Sequence, residues 1–463
     1  MGSARNPWAQ GQTSTDRKTQ DQPWSTDANG GASLTMVTTV DLSAICRGRA
    51  LPTTNLDGTL ANGVGWVPAN LAITPFGTLA QPNPFGSVGD LRLIPDLATR
   101  IRLSGAPSRD GIDVVLGNLE QPDGTPWDCC PRTFLQSALR DLEVEAGLTI
   151  RAAFEHEFIE CVPQSAMLEH PFSLQALLAG EPLGSLLVQT LVDAGLRPEN
   201  WLPEFGERQW EITLEPADGL VAADRAIMVR ETVRHLAREL GRRVTFSPVT
   251  TGTGATSGVH IHLSLWHRDG MPATFDAGRP AHLSSEAGSF AAGVLRHAPA
   301  LLGLTAPSAV SYARLQPGHW SVGRAALVER DREALLRLPA IVELGGQNPA
   351  VQFNLEYRAA DATANPWIAL GALVRAGLEG LRGRLPSPIT GASDVSSAQL
   401  EGSQLQLPHS LGEALHALEE DSIAASWLSN DLLSTYLSVK REEHRMVEDL
   451  DDSERFSKYA EAY

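Results

Sequence analysis

The chain has 463 residues, 42% of them apolar, which is enough for a sizeable core and too much for one average domain. Lys and Arg number 37 against 55 Asp and Glu, and the resulting formal charge of −18 excludes nucleic acid and anionic membrane as natural partners. No apolar run approaches the roughly 20 residues of a membrane span and no secretory signal is visible; Cys46, Cys129, Cys130 and Cys161 lack metal-type C-x-x-C spacing, so a reduced, cytoplasmic protein is expected, with Cys129 and Cys130 as packing residues.

Residues 1–35 are rich in Gln, Ser, Thr, Asp and Gly without apolar periodicity and read as a disordered arm. Structure is expected to begin at Thr35-Met36-Val37, and up to about residue 125 the text is short strands, with turns at Asp57-Gly58, Asn62-Gly63 and Asp123-Gly124. Pro131 opens a helix that Gly147 closes, and residues 222–240 are amphipathic. Asn365 caps a helix that Pro366 starts and that runs to about Leu381. Residues 387–406 read as a polar loop, and helices are expected over 410–429 and 431–448. Strict βαβα alternation is missing, which argues against a doubly wound sheet and for an α+β class. The expected division is the arm at 1–35, a small strand-rich domain at 36–130 and a large catalytic domain at 131–463.

Four strand-like segments carry the chemistry: Phe154-Glu155-His156-Glu157-Phe158, Gln209-Trp210-Glu211-Ile212, Val259-His260-Ile261-His262-Leu263 and Phe353-Asn354-Leu355-Glu356-Tyr357-Arg358. A strand turns successive side chains to opposite faces. Glu155 with Glu157, His260 with His262 and Ser264, and Glu356 with Arg358 therefore each share a face, while mostly Phe, Val, Ile and Leu take the other. Carboxylates converging on one surface repel unless cations neutralise them, which points to a multi-metal site.

Five segments in order identify the chain as resembling the glutamine synthetase superfamily from about residue 36 onward. They are Ala153 through Phe158, Glu204 through Glu211, Gly258 through Ser264, Ser311-Tyr312-Ala313-Arg314-Leu315 with Pro317-Gly318, and Glu356-Tyr357-Arg358 with Ala364-Asn365-Pro366. The resemblance implies an N-terminal β-grasp-like domain and a catalytic domain whose antiparallel strands form a funnel flanked by helices. It also implies a homo-oligomer, commonly a dodecamer of two hexameric rings, with each active site at a subunit boundary.

Making an amide from a carboxylate requires a leaving group, which ATP supplies through an acyl phosphate, and two or three Mg²⁺ or Mn²⁺ ions per site are expected to neutralise the charge on the transferred phosphoryl. By resemblance, Glu157, Glu204 and Glu211 hold one ion, and Glu155, His260 and Glu356 hold the ion on the nucleotide phosphates. Arg314 and Arg358 match positions that grip the substrate carboxylate. Arg332 and Arg337 match arginines that meet the phosphoryl group and the nucleotide phosphates, a solvated helix face being the alternative. His262 and Ser264 resemble nucleotide contacts, a core histidine being the alternative. Arg314, Arg332 and Glu157 are expected nearest the reacting atoms.

Ammonia-using members follow the Pro-Gly turn with Tyr-Glu, whose Glu helps remove a proton from ammonium; here His319-Trp320 follows it. An indole cannot accept that proton but can stack on a cation or ring. The segment Gly254-Ala255-Thr256-Ser257-Gly258 lacks the usual Asn-Gly, and Val310, Val351 and Asn354 are further departures. The wording resembles the branch that joins glutamate to amines other than ammonia. His319 and Trp320 supply no carboxylate for the distal ammonium of a polyamine, so a small alkyl or aromatic amine is favoured. The alternatives are an ammonia-using synthetase and a ligase-inactive ring protein of the same fold.

Overall fold

The computed structural model describes residues 33–103, 111–161, 170–252, 254–316, 321–388 and 405–463. Residues 1–32 of the arm expected over 1–35, most of the 387–406 loop and the pair His319-Trp320 lie outside them, while Leu34 and Thr35 already belong to the first strand.

The run Thr35-Met36-Val37-Thr38-Thr39-Val40, β-branched at every position but Met36, forms the body of β1 (Leu34–Val40), which pairs with β2 (Cys46–Pro52) in an antiparallel hairpin. Asp41 shapes the turn: its carboxylate accepts from the amides of Ser43 and Ile45, each at 2.9 Å, and pairs with Arg47. The sheet continues with β3 (Val64–Trp66), β4 (Leu91–Pro95), β5 (Ile101–Leu103) and β6 (Ile112–Glu120). Its order is β2-β1-β6-β4-β3, with β5 also on β6; β1 and β6 run parallel and the other pairs antiparallel. Gly63 turns the chain into β3 at φ +59°, where a Cβ would lie 2.5 Å from the Leu93 carbonyl oxygen.

The second sheet is built from β7 (Leu148–Glu160), β8 (Pro198–Pro203), β9 (Gln209–Leu214), β10 (Ala217–Asp218), β11 (Val244–Thr245), β12 (Val259–His267), β13 (Arg324–Glu329), β14 (Ala334–Leu338) and β15 (Leu355–Tyr357). Its main path is β13-β14-β15-β12-β7-β9-β8, with β10 and β11 also on β7. All pairs are antiparallel except β13 with β14. Along β7 every second residue is buried and the intervening ones are half-buried, so one face is core and the other lines the funnel. Helices Pro131–Ala146, Gly219–Glu239 and Pro366–Arg382 pack in the catalytic part. The first ends at Gly147 in the left-handed conformation. Asn365 caps the third by accepting from the amides of Trp367 and Ile368. That helix meets helix Ser285–Arg296 backbone to backbone, since a Cβ on Gly380 would lie 2.0 Å from the Ser289 carbonyl oxygen.

The two sheets are joined by buried polar contacts. Arg132 binds Asp224 at 3.0 and 2.8 Å, Asp96 at 2.7 Å and Asn118 at 2.9 Å. The Asn365 amide donates to the carbonyls of Val40 and Asp41, and Tyr463 donates to that of Ser43.

Several local expectations change. Asp57-Gly58 lies in a short helix, Leu56–Thr59, rather than a turn. Residues 410–429 form two helices, Leu411–Glu420 and Ser422–Ser426, because Asp421 leaves helical geometry and its carboxylate caps the second. Arg337 lies on β14 and Arg332 in the turn before it, so neither sits on a helix face. A last helix, Asp452–Ala462, follows Asn430–Arg445; its capping box, Asp451 with Glu454, was the sequence signal for it.

Candidate active site

Strand pairing carries the chemistry from one segment to the next. His260 on β12 pairs with Glu155 on β7, Glu157 with Glu211 on β9, and His262 with Glu356 on β15. Glu356 is paired on its other side with Arg337. Glu204 follows the end of β8, where its amide donates to the Gln209 carbonyl oxygen at 2.9 Å. The six acidic and imidazole residues expected to act together thus come from strands β7, β9, β12 and β15 and the end of β8.

Among the described residues, Glu155, His260 and Glu356 offer ligand atoms within 4.8 Å of one another. His260 Nδ1 stands 3.1 Å from Glu155 Oε2 and 3.9 Å from Glu356 Oε1. Burial and the Arg358 charge push the His260 pKa down to about 4, leaving a neutral ring with a lone pair to donate. His262 Nε2 lies 3.0 Å from Glu155 Oε1, and its Nδ1 lies 2.9 Å from Asn354 Oδ1. Burial disfavours a charged His262, but the Glu155 carboxylate outweighs it and raises the pKa to about 9. Two carboxylates and a neutral imidazole suit a divalent cation.

Glu157, Glu204 and Glu211 form the second group, less tightly drawn together. Burial, then the charges of Glu155, Glu157 and Glu204, lifts Glu211 to about 9. Burial lifts Glu157 to about 7 against the opposing pull of Arg314 and the Gly258 amide. Burial also raises Glu204. All three carboxylates resist ionisation where they stand, and a hard cation would relieve that; an oxygen-only donor set fits Mg²⁺ or Mn²⁺.

The arginines are held in place. Arg337 donates to Glu356 Oε2 at 2.7 Å, and Arg358 pairs with Glu356 Oε1 while its Nε donates to the Arg332 carbonyl oxygen at 2.9 Å. Arg314 is buried beneath Gly258, its guanidinium donating to the carbonyls of Arg358, Ala359 and Ala360 at 2.9, 3.0 and 3.2 Å. A Cβ on Gly258 would lie 2.3 Å from Arg314 Nη2, so glycine is needed for the approach. Ser264 accepts from the Trp266 indole at 2.9 Å, and Arg151 stacks over that ring.

Three residues escaped the sequence reading. Asn354, noted only as a departure, orients His262. Buried Asp361 faces Arg314 electrostatically, and no local motif marks it. Gln209 lay inside a quoted segment, but its contacts run to a loop distant in sequence.

Comparison with known proteins agrees with this geometry. Residues 128–459 match the glutamine synthetase catalytic domain, and residues 30–127 match the glutamine synthetase N-terminal domain. Gamma-glutamylpolyamine synthetase GlnA3 of Streptomyces coelicolor is 33% identical over 430 residues, covering 89% of this chain and 90% of that protein. Type-1 glutamine synthetase 1 of Dictyostelium discoideum is 29% identical over 354 residues, covering 73% of this chain and 70% of that protein. A crystal structure described as a novel glutamine synthase homolog superposes with a TM-score of 0.87 at 42% identity, covering 94% of this chain and all of that one. The ADP complex of GmaS shares the fold, with a TM-score of 0.77 at 24% identity over 92% of this chain and 96% of that one. On the strength of both domain matches, the chain belongs to the glutamine synthetase family, whose members are ATP-dependent ligases.

Proposed function

We propose that this protein joins glutamate to an amine at the expense of ATP, through a γ-glutamyl phosphate. The observation that carries the reading is that strand pairing brings Glu157 opposite Glu211 beside the close group Glu155, His260 and Glu356, with Glu204 at the end of β8 and with Glu211 and Glu157 held against ionisation. Glu157, Glu204 and Glu211 hold one divalent cation, and Glu155, His260 and Glu356 another. Bound there, the cations neutralise phosphate charge during transfer. Arg332 and Arg337 face the transferred phosphoryl and the nucleotide phosphates, and His262 and Ser264 contact the nucleotide. Arg314 and Arg358 place the acid substrate. Ligands of Glu356 compete with its arginines, so cation binding there frees Arg337 and Arg358 to turn toward anionic substrate groups.

The nucleophile is a small alkyl or aromatic amine. His319-Trp320 replaces the acidic flap pair of ammonia-using relatives; an aromatic amine, of low pKa, is neutral without a strong base, and a small alkyl amine has no distal ammonium that would want a carboxylate there. The 33% identity to a γ-glutamylpolyamine synthetase supports a second reading, in which the amine is a polyamine. The active form is a homo-oligomer, a dodecamer of two hexameric rings, with sites at subunit boundaries. Phosphate release from ATP with Mg²⁺ and glutamate is to be measured against ammonium, methylamine, isopropylamine, ethanolamine, putrescine and aniline. Strong release with a monoamine and little with ammonium is expected. Putrescine as best acceptor selects the polyamine reading, and ammonium as best acceptor overturns the amine assignment.

A further inference from the structure

Gln209 opens β9, is 3% exposed, and uses both ends of its amide. Its Oε1 accepts from the Gly206 amide at 2.9 Å, inside the turn that carries Glu204. Its Nε2 donates to the Thr256 carbonyl oxygen at 2.9 Å and reaches Ser257 Oγ at 3.3 Å. The two segments also touch directly, because a Cβ on Gly206 would lie 2.7 Å from Ala255 Cβ and 2.7 Å from Gln209 Oε1. Beyond Ser257, the Gly258 amide donates to Glu157 Oε2 at 2.8 Å and the Gly258 backbone packs on Arg314. One buried amide therefore spans the turn bearing Glu204 and the loop that ends against Glu157 and Arg314.

We propose that Gln209 is a positioning residue that couples cation occupancy at Glu157, Glu204 and Glu211 to the conformation of loop 254–258, and so to the acid-substrate position beside Arg314. This rests on the assignment of those carboxylates to a cation. Drawing Glu204 toward a bound ion moves its turn, and Gln209 transmits that movement because Oε1 and Nε2 are fixed to one planar group. A residue of similar length without the amide breaks the link and leaves all three carboxylates in place.

The test is hydrogen exchange of the peptide covering 254–258, with and without Mn²⁺, in the wild type and in Gln209→Met. Gly206→Ala, which forces the turn and loop apart, serves as the second variant should the first fail to fold. Mn²⁺ is expected to slow wild-type exchange there on the order of tenfold, the scale of a typical coupling between sites. In either variant Mn²⁺ still binds by calorimetry, but loop exchange changes less than about twofold and the glutamate KM rises more than kcat falls. Equal Mn²⁺ protection in wild type and variants overturns the proposal, as does a wild-type loop indifferent to Mn²⁺. Failure of the ligase reading shows separately, as Mn²⁺-protected wild-type protein that releases no phosphate with glutamate and any amine.

Discussion

Glu157 and Glu211 stand directly opposite each other on neighbouring antiparallel strands. Like charges so placed are destabilising. Burial first, with neighbouring carboxylates adding to it, raises their pKa values to about 7 and about 9, so both keep protons that an exposed carboxyl would lose.

The first prediction is a pH dependence. Both carboxyls bind protons more tightly folded than at their ordinary value of 4.5. Their contribution to stability is fully present below that value and is lost as pH rises through about 7 and then about 9. Thermal unfolding in EDTA should therefore show a falling Tm from about pH 6 to about pH 9. Excess Mg²⁺ should raise Tm, and raise it more at the alkaline end, because the ion displaces protons that are already leaving.

Glu211→Gln should separate stability from activity. The metal-free variant gains stability at alkaline pH, since one repelling charge is gone. Its Mg²⁺-dependent Tm shift shrinks and kcat falls by more than about 100-fold, the scale of several kcal/mol of lost charge stabilisation. A fully active variant would remove Glu211 from the cation site.

Glu356 is 1% exposed and holds both Arg337 and Arg358. Glu356→Ala leaves Arg358, itself buried, without its carboxylate, and should cost about 3–5 kcal/mol in urea unfolding of the metal-free protein. Arg337→Ala should cost less, because Glu356 keeps Arg358.

Gly258→Ala should act on substrate binding. The added Cβ meets Arg314 Nη2 at 2.3 Å, and three backbone carbonyls resist the guanidinium's retreat. The expected result in steady-state kinetics is a glutamate KM raised about tenfold with a smaller change in kcat.

Trp320→Glu should restore part of the missing base. The kcat/KM for ammonium is expected to rise at least about tenfold relative to an organic amine. An unchanged ratio would detach the flap sequence from acceptor choice.

Much of this site was legible in the sequence because strand alternation is a local rule. It places Glu155 with Glu157, and His260 with His262 and Ser264, on one face whatever the strands pair with. The helix 366–382 was equally legible, since Asn365 and Pro366 determine its start from adjacent residues alone. The helical expectation over 410–429 failed at Asp421, where a side chain takes over the amides of the following turn and ends one helix to begin another.

By itself, the sequence determined which residue types share a strand face and where the capped helices begin, because those depend on geometry repeated every two or 3.6 residues. Only the tertiary structure decided that Glu157 faces Glu211, that Arg337 and Arg358 enclose Glu356, and that Gln209 reaches Thr256. Those relationships depend on the register between strands and on contacts between loops. Burial of the apolar faces of many distant segments sets both at once, and no local pattern encodes them.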